Sequence, residues 1–468
     1  MTLSGLVSTA AHPERAVKSS WEEFKKDPSE FGGRLLPEAV GTKGAGLGRA
    51  GLKAAVKEGM EEAAEAGARR APHGSPRDTV SDGPAQPSRE QKAVESVGSD
   101  PIDFATGKMY LPQTDVTLPG ALPLVLKRRV ESGYHHGRWF GPSWSSTLDQ
   151  RLEIDSEGVV FVTEDGLLLA YPHPAPGLPT LPSHGPRWPL DREDGGYTVT
   201  DPQTRRVLHF ADRGDDLAVL EQVDDRNGNW ITFEYDAEGT PLAVVSSAGR
   251  NVQVSTEAGR ITAFHLAATG EELKSYSYTD GNLTEVVNSS GLPLCFTYDE
   301  AGRVTSWTDT NDRGYTYDYD DQDRCAAEAG AAGHMSLRVT YDEVDPETGL
   351  RVTTTTTAEG HTRRFLINEV YQVVADVDPL GAVTRYQRDR YNRLLSRTDP
   401  LGHVTTFGYD VTGNLLSVTR PDGREARAEY NELGLPVKVV RTDGTVVRQT
   451  YDERGNRTSM TTSSGQTT

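Results

Sequence analysis

The sequence predicts a mainly β protein, a continuous antiparallel ribbon that follows a short helical, partly disordered N-terminal segment. Two repeating signals predict it. Tyr-Asp-x-x-Gly or a near relative recurs at Tyr235, Tyr298, Tyr409, Tyr430 (as Tyr-Asn) and Tyr451, with degenerate copies at Ser255, Tyr278, Tyr319, Tyr341, Ile367 and Arg388. From Ile367 onward the step is 21 residues. A second series, Gly360, Gly381, Gly402, Gly423, Gly444 and Gly465, keeps the same step and begins less regularly at Gly249, Gly270, Gly291, Gly314 and Gly333. Each repeat thus holds two turns, which is the periodicity of two strands.

Taken in order, the elements begin with residues 1–70, read as helical. Ala16, Val17, Trp21 and Phe24 give Glu14 to Asp27 a helical spacing of apolar residues, and Pro13 suits a first turn. Ala50 to Arg70, rich in Ala, Glu and Lys, is a second helix after the glycine-rich stretch Gly41 to Gly51. Residues 71–97 are a Pro/Ser/Gly linker with little to bury, so residues 1 to about 95 are expected to pack weakly.

Residues 98–234 read as a β-rich domain, with strands at Met109 to Leu118, Leu124 to Val130, Leu148 to Ile154, Val159 to Thr163, Tyr197 to Thr200 and Arg206 to Phe210. Trp139, Phe140 and Trp144 cluster beside a turn, where a core or cap anchor outweighs a sugar-stacking platform. Residues 235–468 are the repeats. In Asp399-Pro400-Leu401-Gly402 and Arg420-Pro421-Asp422-Gly423, Pro fixes φ and Gly supplies the positive φ that closes a bulged hairpin. In Tyr409-Asp410-Val411-Thr412-Gly413 the Asp side chain can accept backbone N–H bonds across the turn. The residues singled out for this structural role are Tyr235, Asp236, Gly239, Tyr298, Asp299, Gly302, Tyr409, Asp410, Gly413, Tyr430, Gly434, Tyr451, Asp452 and Gly455. A lone hairpin of six-residue strands is marginal in water, so the units must pair edge to edge. The strand faces mix polar and aromatic residues, which suits a curved wall open to water or a guest chain and not a compact core.

Composition narrows the function classes. Of 468 residues, 49 are Lys or Arg and 69 Asp or Glu, a net charge near −20 that argues against a nucleic-acid partner. The first 92 residues hold 14 Lys and Arg against 13 Asp and Glu, so the acidity belongs to the later region. No run approaches the roughly 18 apolar residues of a bilayer span. The apolar stretch Leu3 to Ala11 has no Lys or Arg before it, so no cleavable signal is expected. Cys295 and Cys325 read as free thiols. His135-His136 is a poor chelate, because neighbours on a strand point apart, and Asp225 to Asn229 reads as a tight hairpin at Asn227-Gly228, not a calcium loop. No nucleophile elbow or phosphate loop is present. The expectation is of no catalytic residues, no cofactor and no metal.

The Tyr-Asp-x-x-Gly repeats with intervening Asp-Pro-Leu-Gly turns resemble the rearrangement-hotspot (Rhs), or YD-repeat, family. Asp100-Pro101-Ile102-Asp103-Phe104-Ala105-Thr106-Gly107, Leu118-Pro119-Gly120-Ala121-Leu122-Pro123-Leu124 and Phe140-Gly141-Pro142-Ser143-Trp144 are similar to the domain of unknown function that precedes the repeats in actinobacterial members. The resemblance spans residues 98 to 468. It implies a hollow β-shell formed by a spiralling ribbon, part of an exported polymorphic toxin that encapsulates a C-terminal toxin, secreted or at the cell surface without a Sec signal; for this chain an open shell is expected. It also implies a closing segment with self-cleaving aspartates, which the sequence does not show before Thr468. The reading is therefore a non-enzymatic shell portion whose partner is a C-terminal toxin domain or a downstream Rhs polypeptide. An incomplete shell with an exposed edge near Val446 to Met460 is expected, and a cytoplasmic location if the chain is a remnant. The alternative is a repeat protein that binds a cell-surface or cell-wall glycan through exposed Tyr and Trp; burial of Trp139, Trp144 and the repeat tyrosines discriminates the two. A wall-polymer hydrolase has only carboxylate abundance behind it.

Overall fold

The computed structural model describes residues 102–463 apart from 184, 203, 215, 334–335 and 390–392. The expected helices, the linker and Gly465 lie outside the described residues. These fall into two compact units, 102–381 and 382–463. No helix among them is long and apolar enough to cross a membrane.

The first unit opens with a three-stranded antiparallel sheet of β1 (Tyr110–Leu118), β2 (Leu124–Glu131) and β3 (Trp144–Ser146), in the order β1-β2-β3. A bulge between Thr114 and Val116 breaks the β1–β2 register at Asp115. The next strands are β4 (Arg151–Ile154), β5 (Val159–Val162), β6 (Leu168–Tyr171), β7 (Leu190–Glu193), β8 (Gly196–Asp201), β9 (Arg206–Asp212) and β10 (Leu217–Asp224). The strand β10 is forked. Along one edge it pairs with β9, while on the other its first half pairs with β4 and its second half with β11 (Trp230–Tyr235). From β11 the chain meanders to β24 (Val373–Val377), almost every strand antiparallel to its sequence neighbours. The second unit is the same meander, from β25 (Val383–Arg388) to β32 (Arg457–Thr462). The antiparallel ribbon expected from the repeats is what forms.

The reason is turn chemistry repeated along both ribbon edges. At one edge the glycine series closes hairpins: Gly402 has φ +85 and its N–H donates to the Asp399 carbonyl at 2.9 Å. Gly314 is the exception to that series. It opens a strand, and Asp312 takes the positive φ of that turn instead. At the other edge sit the Tyr-Asp turns, each following a register shift that places Tyr298 opposite Val304 and Tyr409 opposite Leu415.

One expectation needs correction. A wall without a compact core was anticipated from the mixed strand faces, yet a single apolar core runs from Ile102 to Val373 in the first unit. The reason is that residues 102–150 lie against the ribbon and exclude water from it. Its members lie on both sides of residue 234. In the second unit, apolar packing is confined to small clusters, Leu394, Phe407 and Val418 in one and Val439, Val447 and Met460 in another. Within the span proposed as an exposed edge, β31 (Val446–Tyr451) is paired on both sides, by β30 (Pro436–Val440) and by β32.

Candidate functional site

Every complete Tyr-Asp motif builds the same device from three side-chain positions. Most of the hairpins closed by the glycine turns pair over only three residues, as in Ser396–Thr398 with Val404–Thr406, and then diverge, whereas the hairpin closed at Gly360 pairs over six. Divergence leaves a backbone carbonyl without a strand partner at the open end. The motif tyrosine supplies the missing donor: its hydroxyl donates to the carbonyl 15 residues upstream, Tyr235 to Leu220 at 2.8 Å, Tyr298 to Leu283 at 2.6 Å and Tyr409 to Leu394 at 3.0 Å. Tyr430 and Tyr451 repeat it on Leu415 and Pro436, each at 2.8 Å. The degenerate copies Tyr278, Tyr319 and Tyr341 make the same bond to Ile261, Val304 and Cys325. Burial disfavours the charged phenolates, pushing Tyr298 up to about 12 and Tyr235, Tyr409 and Tyr430 higher.

The motif aspartate organises the turn that follows. Asp410 Oδ1 accepts the N–H groups of Thr412 and Asn414 at 2.9 and 2.8 Å, and Gly413, with φ +92, donates its N–H to the Asp410 carbonyl. Asp236, Asp299 and Asp452 act alike, as does Asn431 in the Tyr-Asn copy, with Gly239, Gly302, Gly455 and Gly434 in the left-handed position. Burial works against the Asp410 charge, but the hydrogen bonds from Asn414 and Thr412 outweigh it and hold the carboxyl below its usual range. At Asp236 the Thr240 backbone N–H lowers it most. Asp225 to Asn229 is this same turn, with both Asp225 oxygens occupied by Asn227 and Asn229.

Sequence reasoning missed the residue after the glycine position. Arg303 donates to Asp299 Oδ2 at 2.8 Å, then reaches the following repeat, donating to the Asp320 carbonyl at 3.1 Å with its guanidinium 4.8 Å from the Tyr319 ring centroid. Arg324 bonds Asp320 and Asp342 and lies over Tyr341. Arg393 bonds Asp389, the Asp410 carbonyl and the face of Tyr409. Asn414 and Asn456 have shorter side chains and satisfy their own aspartates, Asp410 and Asp452. The recurrence of Arg or Asn at that offset was the available signal.

The second part of the site is the cover formed by residues 102–150. Trp139, Phe140 and Trp144 are buried, at 8%, 1% and 0% exposure, so the cluster is a core anchor. Its loop is held by Asp149, which accepts N–H bonds from Arg138 and Trp139 and a hydroxyl bond from Ser146. Complete burial pushes the Asp149 carboxyl up, and those bonds and Arg151 oppose the rise. Trp144 Nε1 donates to the Tyr298 hydroxyl at 2.9 Å, and its ring meets Phe296 edge-on. Phe140 packs edge-on to Phe264 and Tyr276, and Phe104 stacks on Phe365. The cover also supplies backbone acceptors: Ile261 N–H donates to Trp139 O at 3.0 Å, Cys325 N–H to Gly107 O at 2.7 Å, and Arg351 to Ala105 O at 2.6 Å. At Ile261 and Cys325 the repeat tyrosine takes the carbonyl and the cover takes the N–H.

The remaining candidates do not converge. His135 is exposed, while His136 packs edge-on to Tyr134. Cys325 is buried and Cys295 half-buried, both as free thiols. Among the described residues no group of three or more His, Cys, Asp or Glu side chains is placed to hold a metal.

Residues 99–171 match the family described as Domain of unknown function (DUF6531), and residues 298–335, 372–403, 389–425 and 430–467 match the RHS Repeat family. Among curated proteins, the chain is 25% identical over 316 residues to the probable deoxyribonuclease RhsB of Dickeya dadantii (strain 3937), covering 66% of this chain and 21% of that protein. It is 24% identical over 264 residues to the double-stranded DNA deaminase toxin A of Burkholderia cenocepacia (strain H111), covering 49% and 18%. The chain thus spans about a fifth of the length of the relatives it matches. Among solved structures, TcdB2-TccC3 without its hypervariable C-terminal region is similar at 13% identity and a TM-score of 0.32, covering 80% of this chain and 22% of that one.

Proposed function

This chain is an Rhs, or YD-repeat, protein, and from that premise we propose that it serves as a non-enzymatic part of a toxin-associated shell, enclosing or delivering a toxin domain carried beyond these residues. One observation carries the reading. The chain matches about a fifth of relatives named for two different reactions, a deoxyribonuclease and a DNA deaminase. A segment common to both is suited to what they share, and the chemistry that separates them belongs elsewhere. The side chains agree: repeat tyrosines, aspartates and arginines are engaged in holding strands together. Delivery outside the producing cell is part of this proposal.

The glycan-binding reading loses its basis, because Trp139 and Trp144 are in the core and the motif tyrosines bond backbone. The test has two arms. Purified chain incubated with double-stranded DNA should leave it uncut and undeaminated. The chain joined to its genomic continuation should protect that continuation from added protease. Nuclease or deaminase turnover by the chain alone, or unprotected continuation, overturns the proposal.

A further inference from the structure

We propose that the proline-rich loop between β6 and β7 is a docking ligand for a partner protein whose groove is lined by aromatic side chains, the kind of groove that reads a polyproline II helix. Seven of the chain's 27 prolines fall in residues 172–189, and two of them set the backbone of Leu178-Pro179-Thr180-Leu181-Pro182. A proline fixes its own φ at about −65° and pushes the residue before it out of the helical region, so Leu178, Pro179, Leu181 and Pro182 are all driven toward polyproline II values. The fold carries this stretch with a period of three. Thr180 faces the protein, its N–H donating to the Leu190 carbonyl at 2.8 Å and its carbonyl accepting the Leu190 N–H at 2.9 Å. Three residues on, the Ser183 N–H donates to the Ala170 carbonyl at 2.9 Å. Leu178 and Leu181, also three apart, stand outward at 68% and 37% exposure. At three residues per turn and about 3.1 Å per residue, they lie about 9 Å apart on one side of the helix.

The loop is held in that shape before any partner arrives. Leu178 N–H closes a tight turn on the Ala175 carbonyl at 2.8 Å, with Gly177 at φ +71. Further along, Trp188 packs against Phe161, and its carbonyl accepts the Tyr171 hydroxyl at 3.0 Å. A ligand already in its bound conformation loses little entropy on docking. The polar groups choose the partner. Among the described residues the carbonyls of Pro179, Leu181 and Pro182 accept no hydrogen bond, against one open N–H, at Leu181. Another sheet edge needs alternating donors and cannot pair with such a run. The partner must instead supply donors, and Trp and Tyr do so while offering flat faces to the proline rings. Two leucines one turn apart fit the pockets between those faces. Prolines alone would guard a sheet edge against stray strands, but a guard has no use for two exposed leucines beside them.

The test offers the immobilised full chain an SH3 domain, a WW domain and an EVH1 domain, three purified probes with grooves of this chemistry, and reads binding by biolayer interferometry. At least one should bind saturably, and its groove aromatics should shift in the nuclear magnetic resonance spectrum of the labelled domain. The double variant Leu178→Ser with Leu181→Ser should weaken that binding at least tenfold, and so should Pro179→Ala with Pro182→Ala. Hydrogen exchange across β5 and β6 should stay unchanged in both variants, which separates lost docking from lost structure. No binding by any of the three domains at millimolar concentration, or binding that both variants leave intact, overturns the proposal. So does a proline variant whose only defect is self-association, since the loop is then an edge guard alone.

Discussion

Replacing Tyr298 with Phe removes one oxygen and two hydrogen bonds. The Tyr298 hydroxyl donates to the Leu283 carbonyl at 2.6 Å and accepts from Trp144 Nε1 at 2.9 Å, so Y298F strands both groups in a dry region. A buried polar group left unsatisfied costs about 1–3 kcal/mol. The loss should therefore be about 2–4 kcal/mol, after allowing for the slightly more favourable burial of Phe. Tyr430 is the control, because its hydroxyl serves the Leu415 carbonyl without a partner from the cover, and Y430F should cost about 1–2 kcal/mol. With two compact units a single global unfolding curve is not two-state, so the measurement is hydrogen exchange followed by mass spectrometry. Peptides spanning residues 276–298 should lose protection in Y298F, and those spanning 409–430 in Y430F. Adding Trp144→Phe to Y298F should cost less than it does in the wild type, since the indole N–H has already lost its acceptor. Equal effects of the two tyrosine substitutions, or strict additivity with Trp144→Phe, would falsify the idea that the cover is fastened through the repeat latch.

Other consequences are open to measurement. Gly107→Ala should be far worse than Gly239→Ala: both glycines have φ near +80, but a Cβ on Gly107 would fall 2.6 Å from Arg324 Cβ and 2.8 Å from the Tyr341 ring, while Gly239 faces open space. We expect about 3 kcal/mol or more against about 1 kcal/mol, read from hydrogen exchange of the peptides that hold each glycine. Raising the pH should unfold the first unit early. A phenol whose pKa is raised by folding, as Tyr298 is from 10.0 to about 12, contributes stability that is intact below 10 and lost as pH climbs through 12, so ultraviolet titration should show tyrosine ionisation rising together with loss of structure. The turn carboxylates run the other way. Asp236, Asp320, Asp410 and Asp443 are held below the ordinary 3.8, so their contribution is present at neutral pH and lost as pH falls below that value, visible as acid-induced loss of far-ultraviolet ellipticity. Arg303→Asn should leave its own turn closed but uncouple it from the next, so that exchange near Tyr319 rises more than exchange near Asp299.

Local chemistry is what the sequence made legible. Turn positions need particular residues, so glycines at +φ, aspartates that cap turns and the 21-residue step all showed through, and the ribbon followed from them. Even there Gly314 misled, because Asp312 tolerates the left-handed conformation and took its place. The strands β3, β6, β7 and β10 went unread; a buried run such as Leu168–Tyr171 has no alternation to betray it. Long-range pairing was the harder loss. Nothing in the spacing of Phe104 or Trp144 says that they meet Phe365 and Phe296, some 150 to 260 positions away, and without that contact the ribbon face looked too polar to form a core. The aromatic cluster at Trp139 was readable as an anchor, but not what it anchored.

The tyrosine in the repeat is better explained by its oxygen than by its ring. Phe would fill the same space, and Phe already holds the inward position two residues earlier in Phe296 and Phe407. What the hairpins lack is a donor at their open ends, where three-residue ladders diverge and a carbonyl is left over. A phenol is long enough to span that gap, and a side chain that solves the problem within each repeat allows repeats to be added without redesign. The solution is half complete, since the tyrosine satisfies a carbonyl and can do nothing for an N–H. At Ile261 and Cys325 the N–H is met by backbone carbonyls of Trp139 and Gly107. The cover is thus the hydrogen-bond complement of the latch as well as its apolar lid, which is why residues 102–150 and the repeats of the first unit share one core.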